Sequence, residues 1–166
     1  MRKRTKDGYK TLLAVLEREA GQLRKVAERN KQAADRLEAG AREWMDYVVV
    51  AHTLHNLYCI MESYCLRIAK FFENEIGEES WHRDLLQRMT LDIEGLRPAL
   101  FLREEADAID ELRGFRHLYR NLYDKDIEPG KIDALQTRLP GLLSMYFAAH
   151  GRFTRFLEET EGAIDV

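Results

Sequence analysis

The stretch from residue 42 to residue 74 constrains the fold most, because its apolar side chains recur at steps of three and four residues over roughly nine helical turns. Such a pattern predicts one long helix with a continuous buried face. The apolar positions are Tyr47, Val48, Leu54, Leu57, Tyr58, Met61, Tyr64, Cys65, Ile68, Phe71 and Phe72. A helix this apolar has to be covered by other elements, so we expect it at the centre of a helical domain.

Four more helices are predicted, over residues 9–37, 81–89, 104–123 and 131–159. The chain has only three prolines and ten glycines and no alternating run rich in Val, Ile and Thr, which favours an all-α fold. We expect the last helix to bend or break at Pro140, because proline removes an amide donor. Short connections predict an up-and-down antiparallel bundle of about five helices.

The chain is interpreted as one domain over residues 1–166. Residues 1–40 form an N-terminal flanking helix, which directs Leu12, Leu16, Leu23, Val26 and Ala27 toward the core. Residues 41–160 form the bundle core, with the functionally informative helix at about 104–123. With 45% hydrophobic residues in 166, the chain is able to bury a single core.

The sequence also predicts the cellular location of the protein and the redox state of its two cysteines. The sequence contains no run of 18 or more apolar residues, so no membrane-spanning helix is predicted. The basic N-terminus leads into a charged helix rather than into an apolar signal core. We therefore expect a cytoplasmic protein without membrane contact. Cys59 and Cys65 would lie about 9 Å apart along one helix, too far for a disulfide, so both are expected as reduced thiols.

A local cationic patch is the main functional signal. Lys plus Arg at 26 against Asp plus Glu at 29 gives a net charge of −3, so no global positive field attracts nucleic acid. Residues 111–123 read ELRGFRHLYRNLY. On a helix, one half of this segment is apolar, and the other half carries Arg113, Arg116, His117, Arg120, Asn121 and Tyr123.

This polar half has two interpretations. Guanidinium groups suit phosphate oxygens and a histidine transfers protons near neutral pH, which together indicate a phosphodiester site. Alternatively, the arginines pair with carboxylates in an ordinary solvated salt-bridge face. Asp110, three residues before Arg113, is one such partner. The spacing alone does not decide between them.

Several stretches, in order along residues 45–160, resemble the HepT-like branch of the HEPN superfamily of small helical ribonuclease toxins. They are LHNLYCIME at 54–62, WHRDLL from Trp81, Arg97 with Pro98, LRGFRHLYRNLY at 112–123, and Ile127 with Pro129. The signature of that family is an arginine, four residues, a histidine, one residue and a tyrosine. In this chain the three signature positions are occupied by Arg116, Asn121 and Tyr123.

The resemblance implies cleavage of RNA without a metal or other cofactor, by attack of a ribose 2′-hydroxyl on the adjacent phosphate. Arg116 would stabilise the developing charge, with Arg113 and Arg120 binding phosphate. Asn121 stands where the family has its catalytic histidine, and an amide does not transfer protons at pH 7. Either His117 takes over that role, or the chain is a weakened or inactive member that keeps the binding surface.

The resemblance also implies partners: a homodimer whose motif helices form one cleft, RNA such as tRNA or mRNA, and a minimal nucleotidyltransferase antitoxin that adenylylates Tyr123. Tyr123 could instead only pack under the following loop. Two other functions stay open. One is a non-catalytic module that docks a nucleotidyltransferase or a nucleotide, and the other is a structural protein whose arginines serve a dimer interface.

Histidines elsewhere in the chain are candidate metal ligands. His52 and His55 lie three residues apart on the second helix, but a di-iron site needs two Glu-x-x-His motifs and only Glu79 with His82 fits. The sequence therefore predicts no metal. It also lacks the glycine-rich loops that hold nucleotides in Walker-type or Rossmann proteins. Arg97, before a proline, is expected to be held against a carboxylate or against the ligand of the cationic face, and the structural role is favoured.

Overall fold

The computed structural model describes residues 4–73, 81–120 and 127–164, and these ranges contain five helices and no strand. The helices are α1 Lys6–Glu38, α2 Trp44–Glu73, α3 Trp81–Met89, α4 Arg103–Arg120 and α5 Pro129–Ala163. The predicted all-α bundle is confirmed. In the described part of the chain, no helix combines the length and the apolar content that crossing a bilayer requires.

α1 and α2 form the long hairpin on which the bundle is built. Thr5 caps α1 by accepting a hydrogen bond from the amide of Gly8 at 3.2 Å. After α1, Gly40 adopts φ +97°, a left-handed conformation that glycine takes without strain. The two helices pack together across a five-residue connection and so run antiparallel. α1 also packs against α5, and Leu16 and Leu23 are fully buried.

α2 is the central helix, as predicted, because it packs against all four other helices. Its fully buried side chains include Leu54, Leu57, Met61 and Ile68. Cys65 is buried on the same face, whereas Cys59 is half-buried, and both are free thiols. The face of α2 that carries Cys59 also carries His55, which contacts α4 through Tyr119.

α5 is longer than its sequence pattern predicts and is continuous through Pro140. Pro129 begins the helix, where a missing amide proton has no cost. A break at Pro140 was one of two expected outcomes and does not occur. Leu139 and Leu142, on either side of the proline, are both buried, so core packing holds the two halves in one helix.

The connection from α3 to α4 is fixed by Arg97, whose side chain is fully buried. Its Nε donates to Glu73, at the end of α2, over 3.0 Å. Further donors of its guanidinium bind the backbone carbonyls of Arg88, Leu91 and Pro98 at 2.9 to 3.2 Å. The expected structural role of Arg97 against a carboxylate is confirmed. These contacts tie the connection between α3 and α4 to the end of α2.

Candidate functional site

The candidate site lies where α4 packs on α2, and we call this contact the α2–α4 seam. Ile109, Leu112 and Phe115 bury the inner face of α4. One turn further along α4, Arg116 and Tyr119 therefore lie beside α2. The seam residues that α2 contributes are His52, His55, Tyr58 and Glu62.

Arg116 is turned toward α2 rather than toward solvent, and its side chain is only 18% exposed. Its Nη2 lies 3.8 Å from Oε2 of Glu62, and its Cζ lies 5.8 Å from the ring centre of Tyr58. The distance to Glu62 is too long for a hydrogen bond. The Nε of Arg116 is buried and has no hydrogen-bond partner in the described part of the chain. The guanidinium is thus held in place but is not saturated with acceptors.

Arg113 forms a two-point ion pair within its own helix. Its Nε and Nη2 donate to the two carboxylate oxygens of Asp110 at 2.6 and 3.2 Å. The hydrogen bond to Asp110 raises the pKa of Arg113, and the charge of Asp110 adds to the effect. Arg113 thus forms the salt bridge with Asp110 that one of the two interpretations of the sequence expects.

Arg120 and His117 are exposed near the end of α4. The guanidinium of Arg120 forms no ion pair with any residue in the described ranges. Because successive helical residues are about 100° apart, His117 projects away from the side on which Arg116 meets α2. The two residues of the predicted motif that follow, Asn121 and Tyr123, lie outside the described residues.

Two histidines of α2 face Tyr119, and sequence reasoning considered them only as metal ligands. The Nδ1 of His52 lies 3.2 Å from the hydroxyl of Tyr119, and its Nε2 lies 3.0 Å from Nδ2 of Asn56. The ring of His55 stacks on that of Tyr119, with centroids 4.9 Å apart and planes at 28°. Their signal in the sequence was the shared helical face of His55, Cys59 and Glu62, at steps of four and three residues.

His55 is held largely in its neutral form. Its pKa is lowered, first by burial and then by the positive charges of Arg116, His52 and Arg120, against the opposing effect of Glu62. The Nδ1 is buried without a hydrogen-bond partner in the described residues. The Nε2 lies 3.6 Å from the thiol of Cys59, a weak contact. A neutral imidazole therefore lies beside two guanidinium groups.

Metal-ligating side chains do not converge here or elsewhere in the described ranges: no three His, Cys, Asp or Glu residues come close enough to hold an ion. The chemistry of the seam is that of guanidinium groups, imidazoles and phenols. Guanidinium groups bind phosphate oxygens, and imidazoles exchange protons near neutral pH. This combination suits a phosphodiester ligand.

Comparison with known proteins gives one family. A family model described as HepT-like protein matches residues 49–157, well over half of the chain. The match runs from the first part of α2 to the last part of α5 and includes every residue of the α2–α4 seam. Neither the curated proteins nor the solved structures include a match to this chain.

Proposed function

The chain belongs to the HepT-like family, and from this premise we propose that it is the ribonuclease toxin of a toxin–antitoxin pair. Its substrate would be RNA, bound through the backbone phosphates at the α2–α4 seam. The reaction is cleavage by attack of a ribose 2′-hydroxyl on the adjacent phosphate, without a metal ion. The net charge of −3 means that binding depends on this local patch.

The incomplete pairing of Arg116 carries the proposal. An arginine that serves only structure meets its carboxylate at hydrogen-bond distance, as Arg113 does with Asp110 at 2.6 and 3.2 Å. Arg116 instead meets Glu62 at 3.8 Å and keeps a buried Nε without a partner in the described residues. A phosphate oxygen would supply the missing acceptor and a charge-assisted hydrogen bond. Exposed Arg120, one turn further along α4, offers a second donor to the same phosphate or its neighbour.

Cleavage by this site would be slow. During the reaction negative charge builds on the phosphoryl oxygens, and Arg116 with Arg120 would stabilise it. Asn121, at the motif position of the family histidine, is able to hydrogen-bond the phosphate or the ribose but not to transfer a proton. Loss of a general acid or base lowers a rate by about 10²- to 10⁴-fold. The substitution Asn121→His is therefore expected to raise cleavage.

A homodimer would strengthen the patch. Trp44, Met45 and Val49 begin α2 with 61%, 63% and 49% of their surfaces exposed. Met45 and Val49 lie on one face of α2, and His52 of the seam follows three residues later on the same face. The exposed apolar surface is therefore continuous with the seam. We expect a second copy to cover these residues. The two α4 helices would then contribute both copies of Arg116 and Arg120 to one groove, which focuses the positive field.

The proposed antitoxin is a minimal nucleotidyltransferase that adenylylates Tyr123. Tyr123 follows Arg120 by three residues, so an attached phosphate would occupy the anion site and exclude RNA. Intact-mass spectrometry after co-expression with a neighbouring nucleotidyltransferase tests this step. We expect adenylate on the wild-type chain and on Tyr119→Phe but none on Tyr123→Phe. Adenylate on Tyr123→Phe would contradict the assignment.

A second function, that of a non-catalytic module that docks a nucleotidyltransferase or a nucleotide, is favoured by one observation. Both Arg113 and Arg116 have carboxylates nearby, and Asn121 is not a proton-transfer group. Such a module would bind the partner or RNA without cleaving it. Binding without cleavage, in wild type and in Asn121→His alike, would select this function.

The test of the nuclease is incubation of purified protein with tRNA and with total RNA at low salt, read by gel for cleavage and by mobility shift for binding. Arg116→Ala is expected to weaken both. Arg138→Ala is the matched control, because Arg138 pairs with Glu111 at the contact of α4 with α5 and its removal changes the net charge equally. Equal losses in the two variants would show a general charge effect and contradict a site at Arg116.

A further inference from the structure

A ribonuclease with asparagine at the motif position needs another group to take the proton of the attacking 2′-hydroxyl. Three imidazoles lie near the guanidinium groups of α4, and they are His52, His55 and His117. Their surroundings differ enough to choose among them. The choice rests on the proposed function, because it assigns a role within that reaction.

His117 and His52 are poorly placed for the role. Arg116 faces α2, whereas His117 is the next residue, lies about 100° further around α4 and is exposed. Both ring nitrogens of His52 are engaged, Nδ1 with the hydroxyl of Tyr119 and Nε2 with the amide of Asn56. A base needs a nitrogen lone pair that is open to its substrate.

His55 meets the requirements for a base. Stacking on Tyr119 holds its ring in one position, and catalysis requires a group that is held in this way. With Nδ1 buried, Nε2 is the nitrogen left to meet a ligand, and its contact at 3.6 Å is with a thiol, a weak hydrogen-bonding group. The guanidinium that would hold the phosphate is close enough to influence the titration of the ring.

We propose that His55 accepts the proton of the attacking 2′-hydroxyl and so performs the step that Asn121 does not. As the bond from the 2′-oxygen to phosphorus forms, the proton passes to Nε2 of His55. The bond from phosphorus to the 5′-oxygen breaks, and the leaving oxygen takes a proton from water. The proton on His55 then neutralises the resulting hydroxide and restores the neutral imidazole.

A base of this kind gives a characteristic pH profile. The charged and titratable groups that face it are His52, Cys59 and Glu62 on α2, and Arg116, Tyr119 and Arg120 on α4. The pKa of His55 lies below its ordinary 6.5, so the cleavage rate should stay level from pH 8 to 6.5 and fall only below that. Arg120→Gln removes one positive charge and should move this fall to higher pH.

The experiment compares His55→Gln, His55→Ala and His52→Gln with wild type. We expect His55→Gln to keep RNA binding within about threefold and to lose about 10²- to 10⁴-fold in cleavage rate. Free imidazole should restore part of the rate of His55→Ala. If His55→Gln cleaves RNA at the wild-type rate, or if only His52→Gln loses cleavage rate, the assignment of His55 is overturned while the nuclease proposal stands.

A second measurement needs neither folding of a variant nor turnover. NMR of the histidine Cε1–H groups is recorded with a 2′-deoxy oligonucleotide, which binds but has no attacking hydroxyl. The resonance of His55 should shift, and that of buried His150 should not. Binding without a shift of His55 would overturn the assignment. If Asn121→His cleaves RNA and wild type does not, the assignment of His55 fails, as does cleavage by the natural chain, while the α2–α4 seam stands as the site. If neither protein cleaves, the seam fails as a nuclease site as well.

Discussion

Tyr58 donates a hydrogen bond of 3.1 Å to Glu62, one turn further along α2, and both side chains are buried. The bond engages Oε1 of Glu62. The other oxygen stays 3.8 Å from Arg116, near enough to attract the guanidinium but not to bind it closely. Glu62 therefore orients Arg116 and at the same time competes with any phosphate that approaches it.

Glu62→Gln should tighten RNA binding. Glutamine keeps an oxygen that accepts the hydrogen bond from Tyr58 but lacks the negative charge beside the phosphate. One charge removed at about 6 Å, at an effective dielectric constant of roughly 40 to 80, changes affinity roughly 3- to 10-fold. Mobility shift or fluorescence anisotropy at 50 mM salt would measure it, and the gain should shrink as salt is added.

Glu111→Gln is the matched control for that substitution. It removes the same charge from α4 but at the pair with Arg138, so RNA affinity should change much less. Weaker RNA binding by Glu62→Gln would show that Arg116 needs the carboxylate in order to hold its position, and would contradict the view that Glu62 competes with phosphate.

Arg97→Met should destabilise the fold strongly. The substitution leaves the carboxylate of Glu73, which is largely buried, without its closest cation, and it removes donors from three backbone carbonyls. Breaking a buried ion pair in this way costs about 3–5 kcal/mol. Urea unfolding followed by far-UV circular dichroism would give the loss in the free energy of unfolding.

The control for Arg97→Met is Lys31→Met, at an exposed pair with Asp35 one turn along α1. Exposed pairs of this kind contribute little, so its unfolding curve should nearly overlay that of wild type. A similar curve for Arg97→Met would mean that the loop between α3 and α4 does not depend on this ion pair.

Much of the fold could be predicted from local pattern, because helices are encoded locally. The apolar period of α2 identified the central helix, and the pair of Asp110 with Arg113 followed from a three-residue spacing on one helix. Pro140 shows the limit of this reasoning. Pro140 does remove an amide donor from the helix, but the burial of Leu139 and Leu142 in the core keeps α5 continuous.

The candidate site was predicted only in part, because it is formed between two helices that are distant in the sequence. Arg116 was placed with the other arginines on a polar face, yet it turns inward to Glu62, a residue of α2. Its direction depends on how Leu112 and Phe115 seat α4 on α2, which helical periodicity alone does not specify. The role of His55 depends on the same contact, since Tyr119, on which it stacks, belongs to α4.

Two buried tyrosines should respond oppositely to loss of the hydroxyl. The hydroxyl of Tyr146 is buried and has no hydrogen-bond partner within the described ranges, whereas that of Tyr64 bonds Nδ1 of His150 at 2.8 Å. Tyr146→Phe should raise the free energy of unfolding by up to about 1–3 kcal/mol, because an unsatisfied polar group is removed. Tyr64→Phe should lower it by a similar amount, because His150 loses its partner.

The two tyrosine variants are controls for each other, since each loses one oxygen from the same residue type in the same core. Their ring centres lie 5.6 Å apart, so effects on overall packing should be alike. Urea unfolding at pH 7 measures both. A loss of stability in Tyr146→Phe equal to that in Tyr64→Phe would contradict the view that the hydroxyl of Tyr146 is unsatisfied.

The fold should weaken as pH falls below 6.5 because of His150. Burial lowers the pKa of His150 in the folded chain, assisted by Arg24 and opposed by the charge and hydrogen bond of Glu17. As pH falls, His150 therefore gains its proton in the unfolded chain before it does so in the folded chain. The stabilisation that neutral His150 contributes is complete above pH 6.5 and is lost as pH falls toward the pKa of the folded chain. One such group changes the free energy of unfolding by at most about 1.4 kcal/mol per pH unit.

Urea unfolding of wild type and His150→Asn at pH 7.5, 6.5 and 5.5 tests this dependence. Asparagine has no proton to gain, so the decline of the variant across this range should be shallower whatever its stability at pH 7.5. His55, whose pKa is also lowered, contributes a decline of the same sign, and His150→Asn in a His55→Gln background separates the two. Parallel curves for wild type and His150→Asn would show that His150 titrates alike in the folded and unfolded chains, and would contradict the prediction.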